Sequence, residues 1–142
     1  MYQRIVVGTD GSDRANAAVE QAAMLAKATG AVLHLVQGCG SAIIVSPLYG
    51  EAAGINPNEI VDACVAELQP LVEELQSRDL DVSLHVVPSS GRDALCSVAE
   101  EIDADLIVVG NRGMTGAKRV LGSIPNSVAH HASCSVLIAA TD

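Results

Sequence analysis

The sequence predicts an α/β domain, with a parallel sheet of five strands buried between about four helices. Two observations carry this. Strand-like and helix-like segments alternate along the whole chain, the pattern of repeated βαβ units with right-handed crossovers. The apolar residues, 49 % of the chain, include no Phe or Trp and only Tyr2 and Tyr49. A core of Val, Leu, Ile and Ala suits parallel strands under Ala-rich helices. The 142 residues are the size of one domain, taken as residues 1–142.

The first strand is read as Arg4 to Gly8, and the turn Thr9-Asp10-Gly11-Ser12 follows it. Ser12 then serves as N-cap of a helix from Asp13 to about Ala28, and Gly30 takes the left-handed C-cap. The second strand, Ala31 to Gln37, is apolar except for His34 and Gln37 and runs into Gly38-Cys39-Gly40. Ser41 to Asn56 has no clear period and is long for a connection. Asn56-Pro57 reads as N-cap and N1 of a helix to about Ser77, with an apolar stripe at Val61, Val65, Leu68, Val72 and Leu75. Pro70 is expected to kink it. The third strand is Val82 to Val87. Ser90 and Asp93 resemble a capping box opening a helix to Ile102. The fourth strand, Asp105 to Val109, leads into Gly110. A last helix, Ile124 to His131, precedes the fifth strand, Ser135 to Ala140.

Composition excludes several classes. With 17 acidic against 8 basic residues, a net charge of -9, the chain lacks the basic face that nucleic acid or anionic membranes require. The longest apolar runs are too short to span a bilayer. No export signal is evident at the start, so the expected location is cytoplasmic. Cys39, Cys64, Cys96 and Cys134 form no C-x-x-C pair and are expected to be buried free thiols. A catalytic triad has no G-x-S-x-G elbow to stand on. His34 and His85 read as lone strand histidines, and His130 and His131 as favourable charges at a helix C-terminus.

Two loops stand where an open parallel sheet binds ligands, outside the carboxyl ends of its strands. Thr9 to Ser12 places a carboxylate and two hydroxyls before a helix, although these are also ordinary turn and cap residues. The second loop, Gly110 to Ser123, is sharper. Gly110, Gly113, Gly116 and Gly122 permit the close backbone approach of an anion-binding nest, and Ser123 caps the next helix, whose N-terminus also favours negative charge. Arg112, Lys118 and Arg119 fall in this stretch, and no carboxylate side chain lies between Asp105 and Asp142. Phosphate is the natural guest. A Walker loop is absent, since Ala117 precedes Lys118 and Arg119 follows it. The dinucleotide fingerprint fails too, because Ile43 stands where Gly38-x-Gly40 would need its third glycine.

The segments RIVVGTDGS (Arg4 to Ser12), DLIVVGNRGMTGAKRVLGSIPNS (Asp105 to Ser127) and the closing HHASCSVLIAA resemble the universal stress protein family over essentially the whole chain. The most specific element is Gly110-x-x-Gly113, eight residues, then Gly122-Ser123, one residue shorter than the family's usual spacer. Gly116 offers a tighter turn to absorb the difference. The resemblance implies an open doubly wound, flavodoxin-like or Rossmann-like sheet of order 3-2-1-4-5. It also implies a nucleotide-binding stress-response protein. Asp10 would approach the ribose, Val36 would offer backbone contacts to adenine, and Gly110, Gly113, Gly122 and Ser123 would wrap the phosphates. Thr9, Arg112 and Ile124 complete the implied cofactor-binding set. ATP is the implied ligand, with AMP or cyclic AMP as alternatives, and Mg2+ would accompany ATP with Asp10 as its protein ligand. The resemblance further implies a homodimer through Val136 to Ala140. A downstream protein partner would read the nucleotide state. No general base accompanies the glycine loop, so the expected ATP turnover is slow or nil. A cyclic-AMP protein, a weak ATP hydrolase and a ligand-free dimeric module stand as the alternatives.

Overall fold

A computed structural model of the chain describes residues 1–40, 56–111 and 124–141. Its sheet has five parallel strands: β1 (Arg4–Gly8), β2 (Val32–Gly38), β3 (Val82–Val87), β4 (Leu106–Gly110) and β5 (Ser135–Ala139), in the order β3-β2-β1-β4-β5. The described helices are α1 (Asp13–Thr29), α2 (Pro57–Gln76), α3 (Gly91–Glu101) and α4 (Ile124–His131). The expected fold class and strand order are therefore those observed.

Side-chain alternation divides the core in two. Ile5, Val7, Leu33, Leu35, Leu106 and Val108 point to one face and pack with Ala18, Val19, Ala22, Ala23 and Ala26 of α1 and with Val72 and Leu75 of α2. Val6, Val36, Ile107 and Val109 point to the other, against Ala94, Leu95, Val98 and Ala99 of α3 and Val128 of α4. Alanines on α1 let the helix lie close to strands filled by larger branched side chains. β1 is the innermost strand, with Ile5, Val6 and Val7 fully buried.

Caps set the helix ends. Ser12 Oγ accepts from Ala15 N-H at 3.2 Å, and Gly30 ends α1 at φ 73° with its N-H on the Ala26 carbonyl. Ser90 Oγ accepts from Asp93 N-H at 3.2 Å. The Asp93 carboxylate takes Arg92 at 2.7 Å, so the Ser90 bond of the expected capping box is accompanied by an ion pair at the surface. α2 runs through Pro70 without ending, although Pro70 supplies no N-H to the preceding turn. Its apolar stripe is buried from Leu68 onward, whereas Val65 is exposed.

Asp105 registers the sheet at the opposite edge. Its carboxylate accepts the backbone N-H groups of Gln3 at 2.6 Å and Arg4 at 2.8 Å. Those bonds, with the Arg4 charge, hold its pKa below the usual carboxylate value.

The core assignment predicts unequal costs for apolar truncation. Leu35→Ala, which empties a fully buried site, should cost about 2–5 kcal/mol, while Val65→Ala on the exposed part of α2 should stay within about 0.5 kcal/mol. Urea unfolding with an unchanged m-value checks both.

Candidate functional site

Parallel strands joined by helices bring the four helix N-termini to one edge of the sheet, the edge where the strands end. The chain passes from β1 to β2 on one side and, after β3, crosses back over β1 to β4 on the other, so the direction of the crossovers reverses beside β1. A crevice opens at that reversal, and the helix N-termini around it give it a positive character.

Its floor is the turn after β1. Thr9 is buried, and its N-H donates to the Val36 carbonyl at 2.9 Å, continuing the sheet one residue past β1. Thr9 Oγ1 accepts from Gly11 N-H at 3.2 Å, and Asp10 Oδ1 accepts from Ser12 N-H at 2.9 Å. Gly11 adopts φ 80°, a left-handed conformation that favours glycine. These bonds hold the exposed Asp10 carboxylate at the mouth of the crevice, at the head of α1. Farther along α1, Asn16 Oδ1 is buried without a hydrogen-bond partner, an acceptor of the sort that a water or ligand satisfies.

The walls come from β2 and β4. Val36 is buried with its side chain among the α3-side core, and its carbonyl already accepts from Thr9. Backbone direction alternates along a strand. Val32 N-H bonds Gln3 toward β1, whereas Leu33 and Cys39 N-H bond Asp81 and Val87 toward β3. Gly38 therefore turns its peptide groups toward β1, one step beyond the Thr9 bond. A Cβ on Gly38 would lie 2.6 Å from the Ser89 carbonyl oxygen, and one on Gly40 would lie 2.6 Å from the Ser89 carbonyl carbon. Both glycines are needed for the 88–90 connection to cross the end of β2. On the other wall, Gly110 ends β4 with Thr141 Cγ2 at 3.0 Å from its would-be Cβ. Asn111 Oδ1 accepts from Thr141 N-H at 3.2 Å and from its hydroxyl at 2.8 Å. Ile124, exposed at the start of α4, lies against Gly91 at the start of α3.

The structure thus brings Thr9, Asp10, Val36, Gly110 and Ile124 to the carboxyl edge of the sheet. Arg112, Gly113, Gly122 and Ser123 lie outside the described residues, as does most of Ser41 to Asn56; Asn56 itself caps α2 through its side chain. Sequence reading passed over Gly38, Gly40 and Ser89. Gly38-x-Gly40 fails as a dinucleotide fingerprint, and its position just after a buried strand is the signal of close backbone approach. The histidines also differ from expectation, since His34 and His85 are not lone but meet at 2.9 Å. Of the four free cysteines only Cys39 is buried, the others being half-buried. Burial raises the pKa of Cys64, Cys96 and Cys134, which disfavours the reactive thiolate.

Among the described residues no group of three or more His, Cys, Asp or Glu side chains could hold a metal ion. No described helix is long and apolar enough to cross a membrane. A shallow, mainly apolar depression of about 440 Å3 lies between α1 and the α2–β3 connection, lined by Ala23, Met24, Lys27, Ala28, Arg78 and Leu80. It contains none of the expected site residues.

Comparison with known proteins decides the family. The model of the Universal stress protein family matches residues 1–140. The chain belongs to the universal stress protein family. Universal stress protein Rv1636 of Mycobacterium tuberculosis is 35 % identical over 147 residues, covering 99 % of this chain and 97 % of that one. A crystal structure of a universal stress protein in complex with cAMP is 34 % identical, covers 99 % of this chain and 98 % of that chain, and superposes with a TM-score of 0.75. The fold is shared more widely. A universal stress protein from Archaeoglobus fulgidus in complex with dAMP has a TM-score of 0.62 at 23 % identity, covering 96 % of this chain and 97 % of its own.

The close approach at β2 predicts a graded response to alanine. Gly38→Ala, which meets backbone, should cost about 1–3 kcal/mol. Gly30→Ala, with open space but φ 73°, should cost about 1 kcal/mol. Chemical denaturation ranks the two, and only Gly38→Ala should speed hydrogen exchange at the 88–90 connection.

Proposed function

We propose that this universal stress protein binds an adenine nucleotide in the crevice at the carboxyl end of β1 and acts as a nucleotide-dependent switch. The observation that carries this reading is the likeness to the cAMP-bound family member, 34 % identical and matched over 99 % of this chain. In this reading Asp10, oriented by Ser12 N-H, meets the ribose, while adenine lies against the end of β2 at Val36 and Gly38. The phosphates rest on Gly110, Gly113, Gly122 and Ser123. Helix N-termini and backbone N-H groups make that end suited to anions. Among the described basic side chains near it, Arg92 is paired with Asp93. Charge neutralisation therefore falls to Arg112, Lys118 and Arg119.

ATP with Mg2+ is the fuller form of the proposal. Mg2+ is coordinated by phosphate oxygens and few carboxylates, and Asp10 is the protein carboxylate placed for it. The segment from Gly110 to Ser123 contains no Asp, Glu or His to act as a general base, so in this reading hydrolysis is slow or nil. The switch is read through a homodimer formed along β5, an edge strand whose Val136 and Leu137 are half-buried and whose Ile138 is exposed. An unpaired apolar edge of this kind is suited to cover by a second chain. Cyclic AMP is the second reading, favoured by the eight-residue spacer and by the cAMP complex of the relative. A cyclic phosphate needs one anion site rather than a triphosphate cradle.

Calorimetric titration of the purified protein with ATP, AMP and cyclic AMP tests the proposal. At least one should bind, and the double variant Gly113→Val/Gly122→Val should abolish binding with an unchanged circular dichroism spectrum. No heat or thermal shift with any of them would leave the ligand-free dimeric module. Phosphate release at several per second would point to an enzyme instead.

A further inference from the structure

Among the described strands β3 lies at the edge of the sheet beside β2, and a side-chain bond joins the two. His34 on β2 and His85 on β3 lie on the α3 face. Their register is diagonal, since His34 opposes Ser83 and His85 opposes Val36. His34 Nδ1 and His85 Nε2 are 2.9 Å apart, while the ring centroids are 5.2 Å apart with 33° between the planes. The centroid separation exceeds the nitrogen separation by about one ring diameter, so the rings meet end to end. That is the geometry of N-H···N hydrogen bonding. A chelate would instead aim both lone pairs at a common point beside the rings.

We propose that His34 and His85 form a proton-counting latch, which fastens the edge strand β3 to β2 while at least one of the two rings is neutral and releases it when both are protonated. With both rings neutral, one nitrogen donates and the other accepts. With one ring protonated, an N-H still faces a lone pair. With both protonated, two donors and two positive charges oppose each other and the bond is lost.

The surroundings favour the neutral forms. Burial is the largest influence on both rings and lowers both pKa values from the ordinary imidazole value. Charge on His85 and on Arg4 of β1 lowers that of His34 further, while Asp81, just before β3, opposes this. From α3, Glu101 acts on His85 in the raising direction. The folded chain therefore holds these protons less readily than the unfolded chain. Stability from the pair is complete above the ordinary imidazole value of about 6.5 and is lost progressively as pH falls below it.

Release has a defined path. Val36 is the register partner of His85, and the 88–90 connection that follows β3 crosses Gly38 and Gly40. Loosening β3 therefore loosens one wall of the crevice. The latch itself stands apart from the nucleotide reading, and its test uses no ligand.

The test is an NMR titration of the imidazole carbons and nitrogens of the full chain between about pH 8 and pH 5, with hydrogen exchange of the β3 amides measured in parallel. The expected result is two coupled titrations at His34 and His85, both below the ordinary value. Normalised exchange at residues 83–87 should accelerate over the same range, by up to about tenfold per pH unit for each proton taken up on opening. In His34→Gln/His85→Gln the acid acceleration should disappear. Independent titration of both rings at the ordinary value would overturn the latch, as would β3 exchange that does not change with their protonation. Should the double variant fail to fold, the wild-type titration and exchange decide the matter alone.

Discussion

Everything else in the molecule is arranged around the burial of β1. A strand whose Ile5, Val6 and Val7 are inaccessible has no solvent to satisfy its backbone, so both edges must be paired, and β2 and β4 pair them. The helices must then cover both faces. Because the direction of the crossovers reverses between β1 and β4, a crevice forms at the carboxyl end of β1 as a consequence of the topology.

What the chain adds to that topology is a rigid floor. Thr9, Asp10 and Ser12 each hold a backbone N-H in place, and Thr9 N-H extends the pairing with β2. These are the ordinary duties of turn and cap residues, and they are also what keeps a carboxylate stationary at the head of a helix. The structural and functional roles of the turn therefore coincide. Preorganisation of this kind lowers the entropy that a ligand must overcome on binding.

Much of this was legible in the amino-acid order. The extents of β1, β3 and α4 match the reading residue for residue. β2 and β4 each end one residue later than read, at Gly38 and Gly110. A glycine reads as a strand end, although its backbone still pairs with a neighbour. The outer half of the α2 stripe misled for a related reason, since periodicity identifies a face without showing whether anything covers it. Val65 is exposed on such a face.

The contacts that escaped the reading are those made across the sheet. His34 and His85 stand 51 positions apart, and only the diagonal register of β2 with β3 brings their rings together. Gly38 and Gly40 are needed because of Ser89, which is equally remote in sequence. Recognition of the family did not depend on either, since it rests on the turn after β1 and on the glycine-rich segment after β4. The measurement that bears most directly on the location of the site is amide chemical-shift mapping with cyclic AMP and with ATP. The account predicts that the largest perturbations fall on Thr9 to Ser12, Gly38, Gly110 and Asn111, and on the glycine-rich segment that follows. Perturbations confined to the opposite edge of the sheet, around Asp105, Ala31 and Asp81, would contradict it.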